Sequence, residues 1–348
     1  MAGVTREQLR GKAQTVLGLE APERLGPTLM HEHLLLDLVR PSLAALPRPE
    51  PEITLENVWA INYGRIRHDG RFRLESVDIA VREMERMKAS GGGALVELTN
   101  GGIGPDPDGL AEIARRAGVP IVMGSGYYVE EYMDRGWFEK KAEDFARDII
   151  EQVMVGAWGT ERRAGIIGEI GCQAPWTEVE RRVMCGAVIA QQETGASITV
   201  HPGRDPDAPM EVVRFIAAAG GNVQRTIIGH VDRTIFDEDR LFRLAETGCV
   251  IEYDFFGWET SYYPLANLNL PNDGVRLGWI RKLIDCGFLS QIVIAHDICQ
   301  KTRLTRFGGH GYGHIFENVV PMMTERGFSR DEIDAILVRN PRRLLAFT

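Results

Sequence analysis

Apolar and polar positions along the chain form short, continuous Val/Ile/Leu runs, separated by longer stretches in which apolar residues recur at helical spacing. The runs cover residues 28–31, 94–98, 121–124, 165–169, 198–201, 226–230, 250–253 and 292–297. Unbroken apolar runs of this length are expected of strands covered on both faces, as in parallel sheets. The stretches 75–87, 109–117, 138–154, 178–192, 209–218, 238–246 and 275–285 read as amphipathic helices. Asp106 and Thr177 stand where helix starts are expected. Strand and helix alternating in this way predict parallel pairing with right-handed crossovers.

Two architectures fit that alternation. A doubly wound open sheet usually has fewer strands and often a glycine-rich phosphate loop after the first one. Here the first strand ends in His31-Glu32-His33, and Gly91-Gly92-Gly93 precedes a strand instead of following one. The expected fold is therefore α/β, a single (β/α)8 TIM barrel over residues 1–348. The proline-rich patch at 46–51 reads as a surface excursion, because a domain boundary there would strand the first β-element without its barrel.

Composition narrows the function. With 40 Lys+Arg against 49 Asp+Glu the formal net charge is −9, which offers no footprint for nucleic acid or an anionic membrane. No apolar run approaches the roughly 18 residues of a membrane span. The opening residues 1–8 lack the apolar core of a secretory signal. Five cysteines, at 172, 185, 249, 286 and 299, form no C-x-x-C pair and imply reduced thiols in a cytoplasm-like compartment.

In a barrel the active site lies at the carboxyl ends of the strands. His31 and His33 close the first run, Glu169 the fourth, His201 the fifth, His230 the sixth and Asp297 the eighth. His31 and His33, two apart on an extended segment, face the same side. One histidine at a strand end is more often a structural group; six ligand types at strand ends together predict a site for Zn2+ or a similar divalent ion.

These residues and their surroundings resemble the amidohydrolase superfamily, and within it the phosphotriesterase-related branch. The resemblance rests on TL-HEHL at 28–34, GIIGEIGC at 165–172, HPGR at 201–204, HVDRTI at 230–235, EYDFFG at 252–257, AHDICQKTRL at 295–304 and GGHGYGHI at 308–315, and spans almost the whole chain. It implies two divalent metal ions: His31, His33 and Asp297 on the more buried one, His201 and His230 on the more exposed one, and Glu169 bridging them. The ions are expected to be Zn2+, with Mn2+, Co2+ or Fe2+ accepted by the same donors. In the phosphotriesterases proper the bridging residue is a carboxylated lysine; Glu169 supplies a carboxylate without CO2. Two dications held by two anionic side chains would ionise a bridging water, and the hydroxide would attack an acyl carbonyl with Asp297 as catalytic base.

The substrate reading comes from the loops. Lys301, Arg303 and Arg306 follow the last strand, while Arg204 and Arg233 follow the ligands His201 and His230. They predict either a cationic rim for a carboxylate or sulfonate, or solvated loops and supporting ion pairs. An aromatic loop, Phe255-Phe256-Gly257-Trp258 with Tyr262 and Tyr263, reads as a pocket wall or a locally packed cap. Tyr128 is expected to hydrogen-bond an oxygen held at the metals or to fill the barrel mouth. The branch includes amidases acting on N-acetyltaurine and related N-acetylated amino acids. The resemblance thus implies hydrolysis of a small, anionic N-acyl amino acid or N-acyl amino sulfonate. A lactonase or esterase, or a promiscuous phosphotriesterase, is the alternative; lactonases of the superfamily tend to carry arginine where this chain has Phe255. A non-catalytic metal-containing binding protein is a further alternative. Barrels of this family often pair, so a homodimer is expected.

Overall fold

The computed structural model describes residues 3–44, 49–263 and 266–348; residues 46–48 of the proline-rich patch and 264–265 of the aromatic loop lie outside the described residues. All eight expected strands form: β1 Thr28–Glu32, β2 Ala94–Glu97, β3 Ile121–Met123, β4 Ile167–Gly171, β5 Ile198–His201, β6 Thr226–Ile228, β7 Val250–Tyr253 and β8 Ile292–Ile294. They pair in parallel and in chain order, β1 to β3 in one run and β4 to β8 in another. The ring closes at two seams. Ser125 and Gly168 exchange N–H···O bonds of 3.1 and 2.7 Å between β3 and β4, and the Asp297 amide donates to the His31 carbonyl at 3.2 Å between β8 and β1.

The intervening helices are α1 Val77–Ala89, α2 Pro107–Ala117, α3 Ala142–Met154, α4 Glu178–Thr194, α5 Ala208–Ala218, α6 Glu238–Glu246 and α7 Asp273–Asp285. Asp106 caps α2 and Thr177 caps α4, with Glu180 completing a capping box. Gly118 and Gly195 end these two helices in the left-handed conformation that an L side chain resists.

The lumen is filled by one small layer of apolar side chains, among them Met30, Val96, Val122, Ile227, Val250 and Val293. A larger cluster occupies the space between the strands and the helices. A hairpin, Ala13–Thr15 with Gly18–Glu20, and the C-terminal helix Asn340–Leu345 had no periodic signal long enough to be expected. Both bring residues to the lumen cluster, as Ala13 and Leu344 show. No described helix is long and apolar enough to cross a membrane.

Candidate metal centre

The ligand types converge at the carboxyl ends of the strands, and the local backbone explains how. β1 and β4 each carry a register shift, between Leu29 and Glu32 and between Ile167 and Ile170. A bulge re-aims successive side chains, so Met30 packs in the lumen layer while its neighbour His31 joins the polar cluster above it. Two assignments made from the runs shift: β6 stops at Ile228 and β8 at Ile294, so His230 and Asp297 stand just past their strands. Both take left-handed backbone, with φ of 56° and 49°. For non-glycine residues that conformation is disfavoured and is retained where the surroundings hold it, commonly at functional sites. The His230 amide is held by Asp254 Oδ2 at 2.7 Å. Glu169 lies inside β4 instead of ending it.

All six residues are buried. Around Glu169 stand His31 Nε2 at 3.4 Å, His33 Nε2 at 3.4 Å, His201 Nδ1 at 2.8 Å and His230 Nε2 at 3.4 Å. Asp297 Oδ1 lies 3.3 Å from His33 Nε2 and 4.0 Å from His31 Nε2. Four donors about 2.1 Å from a tetrahedral ion stand about 3.4 Å from one another, so these spacings suit a shared divalent ion. His31 Nε2 is buried without a hydrogen-bond partner, an orphaned acceptor facing the cluster.

Residues outside the expected set fix how the imidazoles face. His31 Nδ1 lies 3.2 Å from Glu252 Oε2 and 3.3 Å from Asp254 Oδ2, and His230 Nδ1 lies 2.9 Å from Asp254 Oδ1. His33 Nδ1 reaches the Thr99 hydroxyl at 3.0 Å, and that hydroxyl donates to Glu97 at 2.5 Å. Because the Thr99 proton is spent on Glu97, His33 Nδ1 must be the donor. In all three rings the outer nitrogen carries the hydrogen and the Nε2 lone pair faces inward, the arrangement by which carboxylates orient metal-binding histidines. Asn100 ties down the Glu169 carbonyl at 2.5 Å.

His201 enters the other way round. Its Nδ1 faces the cluster, 2.7 Å from His230 Nε2, while Arg233 stands 3.2 Å from its Nε2 and also donates to the Pro202 carbonyl at 3.1 Å.

Charge follows this geometry. Burial alone would raise Glu169, but His31 and His201 outweigh it and hold the carboxyl well below its usual range. Asp254 behaves alike: against its burial, His230 and His31 keep it ionised. Glu252 and Glu97, where burial prevails, are each pushed up to about 7.

The remaining candidates separate. Tyr128 Oη lies 3.4 Å from His201 Nδ1, and Tyr128, His201 and Arg204 border a cavity of about 330 Å3. Arg204 donates to the Tyr263 hydroxyl at 3.2 Å. Lys301 turns away to Glu75 at 3.2 Å and lines a separate cleft. Asp232 supports Arg276 at 2.7 Å and the Phe255 amide at 3.0 Å. Phe255 stacks on His230 with centroids 5.2 Å apart, Trp258 packs edge-on against Phe255 at 4.9 Å, and Arg303 lies 4.7 Å over Trp258. The aromatic loop thus forms a wall running outward from the cluster. His314 bonds Asp273 at 2.7 Å, outside the cluster.

The missed supports, Glu252 and Asp254, had a signal: two acids at alternate positions ending an otherwise apolar strand, the same spacing that singled out His31 and His33.

The chain is similar to known proteins over nearly its whole length. The phosphotriesterase family model matches residues 11–345. The N-acetyltaurine hydrolase of Salmo salar is 40% identical over 345 residues, covering 97% of this chain and 99% of the relative. That of Homo sapiens is 40% identical over 347 residues, with the same coverage. A crystal structure of a resiniferatoxin-binding protein from Rhodobacter sphaeroides superposes with a TM-score of 0.90 at 31% identity, covering 97% of this chain and 96% of that one. The chain belongs to the phosphotriesterase family and is a metal-dependent hydrolase.

Proposed function

We propose that the protein is an amidase that hydrolyses small N-acyl amino acids or N-acyl amino sulfonates, N-acetyltaurine among them, at a binuclear centre for which zinc is the expected metal. The observation that carries this is the convergence of four imidazoles on two carboxylates, three of them with Nε2 turned inward. His31, His33 and Asp297 would hold one ion, His201 and His230 the other, and Glu169 would bridge. Divalent ions held there would lower the pKa of water toward neutrality and polarise an acyl carbonyl.

The chain's own groups do the rest. Asp297, whose carboxylate spans the cluster from His33 to His230 Nδ1 at 4.0 Å, takes the proton of the attacking water and returns it to the leaving nitrogen as the C–N bond breaks. Tyr128 donates its hydroxyl hydrogen to the substrate oxygen at the cavity beside His201. Phe255 and Trp258 close one side and exclude water. The relatives' named substrate and the arginines around the mouth support an anionic N-acyl compound over a neutral one.

The test is purified protein with elemental analysis and a panel of N-acetyltaurine, N-acetyl amino acids, γ-lactones and an organophosphate triester. Two metal equivalents with amide turnover are expected; a lactone or phosphotriester rate far above every amide rate overturns the choice. A second reading, a binding protein, is favoured by the name of the structural relative. A metal-loaded preparation inert to the whole panel would establish that reading instead.

A further inference from the structure

Most strongly buried cations in this chain have their donors engaged. Arg276 pairs with Asp232 and Asp273 at 2.7 and 2.8 Å. Arg225 donates to carbonyls of 343, 344 and 346, and Arg233 is committed to His201 and Pro202. Arg225, like Arg71 and Arg303, forms no ion pair among the described residues and has a buried Nε without a partner, but its terminal nitrogens are taken up by three carbonyls; Arg71 and Arg303 leave most of theirs unspent. Arg71, 8% exposed, sits in the turn Asp69–Phe72 of the excursion after β1; half-buried Arg303 sits in the turn Lys301–Arg303 after β8. The two turns pack against each other. Neither guanidinium forms an ion pair among the described residues, and both Nε atoms are buried without a partner. Asp69, the carboxylate acting on Arg71, is bonded by Arg67 at 2.8 Å. Arg71 donates only to the Ile61 carbonyl, and Arg303 has one face covered by Trp258.

Arg303 is linked to the candidate metal centre by a continuous stack of rings, and Arg71 through the packing of its turn on that of Arg303. The wall from His230 through Phe255 to Trp258 ends under Arg303. Its position is fixed, because Arg276 donates to the Trp258 carbonyl at 3.1 Å and Asp273 accepts the Gly257 amide at 2.9 Å. Burying guanidinium groups without counter-charge is unfavourable, and it is tolerated where carbonyls take up the donors, as at Arg225, or where an anion completes the site.

We propose that Arg303 and Arg71 form an anion clamp that grips the sulfonate or carboxylate of the substrate's amine-side head group while the acyl carbon lies at the metal centre. The clamp rests on the amidase reading for its substrate, yet it binds the anion without turnover. A planar fork stacked on an aromatic ring presents its edge donors to two oxygens at once, which a sulfonate and a carboxylate both offer. Burial without a counter-charge lowers the proton affinity of both side chains, a penalty that a bound anion removes.

Titration calorimetry of the full-length protein with ethanesulfonate and with propionate tests the clamp directly. Both are expected to bind the natural protein, the tighter one naming the head group. Arg303→Gln and Arg71→Gln should each weaken binding by about 10- to 100-fold, the scale of a lost charge-assisted pair. Arg116→Gln, a remote surface control carrying the same charge change, should match the natural protein. If a Gln variant fails to fold, the Lys variants, which keep the charge but lose the fork, should still bind more weakly. No binding by the natural protein, or loss only on Arg204→Gln, overturns the clamp. The KM for N-acetyltaurine should rise in Arg303→Gln by a similar factor with kcat and the neutral N-acetylethanolamine little changed. Amide turnover without that selectivity ends the clamp and leaves the amidase; clamp binding without any turnover does the reverse.

Discussion

The two halves of the candidate metal centre are built differently. On the β1 side, Asp297 Oδ1 stands 3.3 Å from His33 Nε2 and 4.0 Å from His31 Nε2, and each imidazole is aimed by a group behind it. On the β5–β6 side, His201 Nδ1 lies 2.8 Å from Glu169 and 2.7 Å from His230 Nε2, and Arg233 occupies the far nitrogen of His201. The first half already has the spacing an ion requires. In the second, the contacts are of hydrogen-bond length, about 0.6 to 0.7 Å shorter than the roughly 3.4 Å between donors around a tetrahedral ion. The two groups of candidate ligands are therefore held unequally: Glu252 of β7 and Thr99, just past β2, aim His31 and His33 from behind, while the far nitrogen of His201 faces the Arg233 guanidinium.

The comparison can be broken most severely at the group both halves share. Glu169→Gln is expected to lower kcat/KM by about a thousandfold or more and to leave about one bound metal equivalent, read by steady-state kinetics and elemental analysis. Asp297→Asn should come close in activity; a variant that keeps its metal and full turnover would remove Asp297 as the base.

Asp254→Asn, which loosens His230 and His31 together, should weaken metal retention by about 100-fold against a competing chelator. Thr99→Val, which interrupts only the His33 support at nearly constant volume, should cost about tenfold and only for the first equivalent. The finest distinction is the order of filling. Metal returned stepwise to chelated protein is expected to saturate the β1 half first, and a titration in which both equivalents bind as one would show the halves to be equal.

Much of this site was legible along the chain because buried parallel strands and metal ligands leave separate marks. Continuous apolar runs located all eight strands, and charged or imidazole groups where the runs end located all six candidate ligands. The runs misplaced details that depend on backbone dihedrals. His230 and Asp297 read as strand ends, yet both stand past their strands in left-handed backbone held by contacts from distant segments, such as the Asp254 carboxylate. Lys301 and Arg303 read alike as cations of one loop, but one faces Glu75 and the other Trp258.

Sequence alone determined the alternation of elements, the barrel it implies and the donor types at its mouth, since these follow from local period and side-chain chemistry. Tertiary structure decided which nitrogen of each histidine faces inward, which arginines lack a counter-charge, and which half of the centre is set in advance. Those depend on groups far apart in the chain meeting in space, as His31 Nδ1 does with the Glu252 carboxylate at 3.2 Å, and no local pattern encodes such a meeting.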